Sequence, residues 1–237
     1  MIEQRVGSGP ANANAPLVAV LDYGIGNLRS AQKALQVVGA DARLTADPAV
    51  VAAAAGVVLP GVGNFGRCME AMRSSGLDRM AVEAAASGRP FLGICVGLQM
   101  LYQGSQECPG EAGLSILNGM VRLLPDGVKR PQMQWNRLDR PRPSRLLAGL
   151  GEDPWVYFVH SYAPDDLTNA VGTCEYGGTV VAAIEAANVW GCQFHPEKSG
   201  ANGLAILANF VGACAQAAAP SAAPSALLTA VPATPAL

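Results

Sequence analysis

Along the first hundred residues, apolar positions fall into short unbroken runs separated by stretches of helical spacing. Leu17-Val18-Ala19-Val20-Leu21, Val57-Val58-Leu59 and Phe91-Leu92-Gly93-Ile94 have the length and continuity of strands buried on both faces. After the first run, Asp22 to Asn27 make a turn. Leu28, Ala31, Ala34, Leu35 and Val38 then recur at helical spacing, with Gly39 where such a helix would end. A short strand over Ala42 to Leu44 and a helix opened by Asp47-Pro48 follow. This alternation predicts right-handed βαβ units and an α/β doubly wound parallel sheet, whose ligands bind beyond the carboxyl ends of the strands. The second half is different. Met120–Leu124, Trp155–Val159, Thr179–Ile184 and Val189–Phe194 are aromatic or β-branched runs separated by Asp, Gly and Pro. They predict added antiparallel or mixed strands rather than further βαβ units.

Composition narrows the class. The 237 residues are 50% hydrophobic and 14% charged with net charge −2, enough for one substantial core and without the electrostatic footprint of a nucleic-acid or anionic-membrane binder. No apolar run reaches the roughly 18 residues of a spanning helix. The polar segment Met1 to Pro16 has neither a signal nor an anchor pattern, and six cysteines without a C-x-x-C pair fit free thiols in a reduced, cytosolic setting. Both that segment and the Ala/Pro/Ser/Leu-rich residues Ala215 to Leu237 are expected to be disordered, leaving residues 17–214 as the domain.

Against this frame, one thiol stands out. Cys95 ends an apolar run, with Gly93 before it and Gly97 after it, and a helix-like stretch from Leu98 to Tyr102 follows. Taken alone, a buried cysteine is commonly a small hydrophobe. The flanking glycines instead suit a sharp strand-to-helix turn that presents a nucleophile, where a helix N-terminus would favour thiolate. Gln99, one helical turn on, would share its face. The glycine-rich Pro60-Gly61-Val62-Gly63 lacks the Lys-Ser/Thr ending of a phosphate loop. It can instead turn an N–H toward Cys95, pairing with the N–H of Val96 as an oxyanion hole. Gly24-x-Gly26 lacks the third glycine of a dinucleotide loop, since residue 29 is Arg.

There are two histidines. In His195-Pro196-Glu197, an extended backbone held by Pro196 would place the Glu197 carboxylate beside the His195 ring, giving the base and orienter of a Cys-His-Glu triad. No clustered ligands accompany either histidine, so no metal or cofactor is expected.

Gly93-Ile94-Cys95-Val96-Gly97-Leu98-Gln99 and Gln193-Phe194-His195-Pro196-Glu197 resemble the signature motifs of class I glutamine amidotransferases. The closest resemblance is to the glutaminase subunits of imidazole glycerol phosphate synthase, of histidine biosynthesis. It is carried by Asp22-Tyr23-Gly24-x-Gly26-Asn27-Leu28, the Pro60–Gly63 loop, Trp135-Asn136, Tyr157 to Tyr162 and His195 to Gly200, and spans roughly Leu17 to Val211. The resemblance implies a flavodoxin-like sheet and glutamine hydrolysis. Cys95 is then the nucleophile, His195 the acid and base, and Glu197 its orienter. Val96, Gly61 and Val62 would hold the oxyanion, while Gln99, Glu107 and His160, Ser161 and Tyr162 would hold L-glutamine. It also implies a heterodimer with a (β/α)₈-barrel cyclase, with Lys198, Trp135 and Asn27 facing it. Where that family has Gly, this chain has Gln134, so the turn presenting Trp135 is expected to differ. A glutaminase for another synthase, a catalytically silent interaction subunit and a dinucleotide or flavin module are the alternatives.

Overall fold

The computed structural model describes residues 15–218. In chain order its elements are β1 (Leu17–Leu21), α1 (Leu28–Val37), β2 (Asp41–Thr45), α2 (Pro48–Ala53), β3 (Gly56–Gly61), α3 (Phe65–Ser75), α4 (Leu77–Ala86), β4 (Phe91–Cys95) and α5 (Val96–Gln99). Then come β5 (Val121–Leu123), β6 (Gln132–Arg137), β7 (Trp155–His160), β8 (Tyr162–Pro164), β9 (Ala170–Glu175), β10 (Thr179–Ala186), β11 (Val189–Cys192), a 3₁₀ turn (Pro196–Lys198) and α6 (Gly200–Ala218).

Seven strands form one sheet in the order β2-β1-β3-β4-β11-β10-β9. Neighbours from β2 to β11 are parallel, whereas β10 pairs antiparallel with both β11 and β9. The doubly wound reading therefore holds, and the order of the first four strands is the flavodoxin-like one. The central strands are apolar throughout because helices cover both faces: β1, β3 and β4 are almost wholly buried. Register decides where chemistry can occur. Gly61 lies opposite Cys95, and Ile94 opposite Cys192, so the carboxyl ends of β3, β4 and β11 finish side by side.

Outside the main sheet, β6 and β7 form an antiparallel ribbon and β5 pairs with β8. The stretch expected to be a turn presenting Trp135 is strand β6, with Gln134 opposite Phe158 and Trp135 opposite Tyr157. Its pattern hid it, since five of its six residues are at least partly exposed and no apolar alternation marks it.

One expectation about the chain's end needs correction. Helix α6 runs through Ala218, four residues past the predicted boundary at 214; the remainder of the predicted tail, like residues 1–14, lies outside the described residues. By length and composition α6 could also span a membrane, with 19 residues and mean hydropathy 1.3, although no unbroken apolar run signals it. In this structure one face of it, Gly203, Ile206, Leu207, Phe210, Val211 and Cys214, packs on the core. Phe210 meets Trp190 edge to face at 6.0 Å, and Cys214 packs so closely on β3 that a Cβ on Gly56 would lie 2.3 Å from its sulfur.

Candidate active site

Cys95 closes β4 with φ 55° and ψ −116°, a backbone conformation that side chains rarely adopt and that turns the thiol out of the strand. The flanking glycines serve a different end from the turn itself. Neither has positive φ; they are needed for close approach. A Cβ on Gly93 would stand 2.7 Å from Leu98 Cα, and one on Gly97 only 1.8 Å from Leu59 O. The elbow is thus pressed against β3 and against its own exit. The following helix is shorter than predicted: α5 is a single turn ending at Gln99, after which Met100 to Tyr102 continue in tight turns. One turn has little macrodipole, and what α5 offers Cys95 is the free N–H groups at its start, that of Val96 among them.

The predicted oxyanion loop reaches the same point. A Cβ on Gly61 would meet Gly97 N at 2.6 Å, so the two backbones touch. Two buried side chains hold the loop's carbonyls: Tyr23 Oη donates to Pro60 O at 2.7 Å and Cys68 Sγ to Val62 O at 3.3 Å. Burial pushes the Cys68 thiol up, which keeps it a donor.

His195 leaves β11 as the residue capping the 3₁₀ turn. Its Nδ1 is 2.8 Å from Glu197 Oε1, and both side chains are 3% exposed. The pairing was anticipated, but not its geometry. Pro196 occupies the first position of a helical turn, which its fixed φ suits as well as an extended segment, so the carboxylate reaches the ring by curling back. Burial alone would lower the His195 pKa. The Cys95 thiol and Glu197 outweigh it and raise the value to about 9.

Cys95, Val96, Val62, Gln99, Glu107, His160, Ser161, Tyr162, His195, Lys198 and Asn27 line one cavity of about 440 Å³, room enough for an amino acid. Gly61 and Glu197 sit just behind its wall, against Asn27, Val62 and His195. Trp135 does not line it and stands half exposed on the ribbon. Glu107 Oε2 accepts from Phe65 N at 2.8 Å. The His160 ring contacts Tyr162 O at 2.8 Å through Nδ1, and burial drives its pKa down to about 4.

Gln193 is the residue the sequence reading passed over. Fully buried, it donates from Nε2 to Cys95 Sγ at 3.8 Å and accepts from Gln99 Nε2 at 3.1 Å. The signal was available, because Gln193 is two residues before His195 in a strand-like segment and so shares its side. All six cysteines are free, and among the described residues no group of three or more His, Cys, Asp or Glu could hold a metal.

A thiol on a strained elbow beside an imidazole paired with a carboxylate is an arrangement for acyl transfer. The family model described as glutamine amidotransferase class-I matches residues 19–214. The chain belongs to the class I glutamine amidotransferases. The solved structure of PurLQS from Thermotoga maritima (TM-score 0.66, 20% identity, 84% of this chain and 98% of that one) and a glutamine amidotransferase (0.66, 19%, 82% and 98%) share its fold. Among curated proteins, the imidazole glycerol phosphate synthase subunit HisH of Syntrophotalea carbinolica is 46% identical over 203 residues, 82% of this chain and 98% of that protein. That of Methanothermobacter thermautotrophicus is 47% identical over 196 residues, again 82% and 98%. Within the class, the chain belongs to the HisH family of imidazole glycerol phosphate synthase glutaminase subunits.

Proposed function

We propose that this chain hydrolyses L-glutamine to glutamate and ammonia through a thioester on Cys95, and hands the ammonia to a cyclase subunit that forms imidazole glycerol phosphate and an aminoimidazole carboxamide ribonucleotide. The observation that carries the reading is the register of three strand ends. It sets the Cys95 elbow between the Gly61-Val62 backbone and a His195 ring whose Nδ1 is 2.8 Å from Glu197.

The Cys95 thiol passes its proton to His195 as the sulfur attacks the side-chain carbonyl carbon of glutamine, and the oxygen takes up negative charge facing N–H donors from Val96 and the Gly61-Val62 loop. His195, with Nδ1 fixed by Glu197, holds that proton and delivers it to the departing nitrogen. Ammonia leaves as the C–N bond breaks, and a γ-glutamyl thioester remains. Neutral His195 then takes a proton from water, the hydroxyl displaces sulfur, and glutamate is released. Glu107 and the His160–Tyr162 segment line the cavity on which the amino-acid end of the substrate would rest.

For the cyclase the reading assigns the outer face of the β6–β7 ribbon and the adjoining 3₁₀ turn. Met133, Trp135 and Trp155 are 62%, 47% and 49% exposed there, and Lys198 directly follows Glu197 in sequence. Large apolar side chains left in water on one ribbon mark an interaction surface. The test is Cys95→Ala in complex with a barrel cyclase. Glutamine-dependent product formation should disappear while product from added ammonium salt persists. Loss of both in an intact complex would give Cys95 a structural role and sink the assignment.

A further inference from the structure

Next to the substrate cavity is a second one of about 10 Å³, walled by Asn27, Ala31, Pro60–Val62, Ile94, His195 and Glu197. Space on that order admits a single water. Three polar groups on its wall have capacity left over; one, His195 Nε2, buried and without a partner among the described residues, is the nitrogen that the proposed chemistry uses at Cys95. Glu197 Oε1 is engaged by His195, whereas Oε2, in a side chain 3% exposed, has no hydrogen-bond partner among the described residues. Asn27 accepts from Ser30 Oγ through Oδ1 at 2.8 Å, and its amide NH₂ donates to no described residue. As the capping residue of α1 it makes no side-chain bond to the helix backbone.

An ionised carboxylate only accepts, so whatever meets Glu197 Oε2 must donate, and a buried charged oxygen left unmatched is costly. An amide NH₂ only donates, so the same occupant must also accept. Water does both and fits. We infer that this cavity is a binding site for one water molecule, bridging Asn27 Nδ2 to Glu197 Oε2. Asn27 is thereby a positioning residue for the Glu197–His195 pair, although it also reaches the substrate cavity. The inference rests on the reading of Glu197 as the orienter of His195.

Asn27→Asp separates this role from a structural one. Asp keeps the oxygen that accepts from Ser30 Oγ, so a purely structural role predicts an unchanged melting point and unchanged kinetics. The water bridge predicts loss of the donor and a second negative charge near Glu197. Glutamate release by the full chain, alone and with its cyclase, should fall at least tenfold in kcat with KM for glutamine within twofold, and Asn27→Ala should fall less. In a crystal structure at about 1.2 Å, a solvent peak should lie within hydrogen-bond reach of both Asn27 Nδ2 and Glu197 Oε2. The absence of that peak, or wild-type kcat in folded Asn27→Asp, overturns the proposal. Glu197→Gln distinguishes the underlying reading: if it retains full activity, Glu197 is no orienter, while the peak still decides the water site.

Discussion

Gly97→Ala is expected to destabilise the protein and disable the nucleophile together. The new Cβ would sit 1.8 Å from Leu59 O, 2.8 Å from Leu59 C and 3.1 Å from Pro60 C. All three are main-chain atoms of β3, which pairs with β1 and β4 and cannot swing aside as a side chain could. Overpacking of a rigid core costs about 1–3 kcal/mol, and a clash of backbone on backbone belongs at the upper end, about 3 kcal/mol. Reduced freedom of the unfolded chain returns about 0.4–1 kcal/mol. The net, about 2 kcal/mol, corresponds to a melting point lowered by roughly 4–8 °C for a domain of this size. Relief of the clash must also push α5 off β3, and a displacement of about 1 Å at a reacting group can cost on the order of 100-fold in rate. Gly212→Ala is the counterpart. Its Cβ meets nothing within 4 Å on the exposed side of α6, so helix propensity should raise the melting point by roughly 2–4 °C. Thermal melts followed by circular dichroism, with glutamate release at 25 °C, read both. A Gly97→Ala protein that melts within 2 °C of the parent and keeps its activity would refute the reasoning.

Stability should peak near pH 6.5. His160, held neutral by burial with a pKa near 4, penalises folding as pH falls from 6.5 toward 4 because the unfolded chain binds the proton first; His195, raised to about 9, gives a contribution that is complete below 6.5 and disappears as pH climbs through 9. Each shift corresponds to about 3 kcal/mol, and denaturant midpoints that stay level from pH 4.5 to 9 would contradict both. Tyr23→Phe leaves the Pro60 carbonyl without its 2.7 Å donor and should cost about 1–3 kcal/mol with a reduced kcat; unchanged urea midpoint and rate would mean the hydroxyl does not brace the loop. Gln132→Glu replaces an amide beside His160 with a group that only accepts, so His160 should become cationic at pH 7, which ring nitrogen shifts in NMR would show directly.

What could be read from the sequence followed the strength of local constraint. Strands β1, β3 and β4 announced themselves because burial on both faces demands continuous apolar runs. β6 did not, because its partner β7 turns Val156, Phe158 and His160 inward and leaves Gln-Met-Gln-Trp-Asn-Arg largely to solvent. The Cys95 elbow was legible from Gly93 and Gly97, though the reason lay in contacts with Leu98 and Leu59 that spacing cannot reveal. His195 and Glu197 were paired correctly from an extended backbone that the 3₁₀ turn replaces. The same two-residue rule, applied one step earlier, would have found Gln193.

The buried polar side chains around Cys95 have a definite direction. His160 is neutral at pH 7 and has one N–H, and the carbonyl of Tyr162, 2.8 Å from Nδ1, can only accept, so the proton is on Nδ1. Nε2 is then an acceptor. The Gln132 amide 2.9 Å away must present its NH₂ there, since its oxygen and nitrogen are equivalent in shape. Its oxygen then faces Cys174 at 4.0 Å, a thiol that burial pushes up to about 12 and which therefore stays protonated and donates. From the other side, Gln99 donates to the same Tyr162 carbonyl at 2.9 Å and to Gln193, which donates to Cys95. Both arms end on one main-chain oxygen at the start of β8. The backbone at Tyr162 is therefore fixed by the ribbon that carries Trp135 and by the amides that reach Cys95, so the exposed apolar face and the Cys95 sulfur share a single anchor.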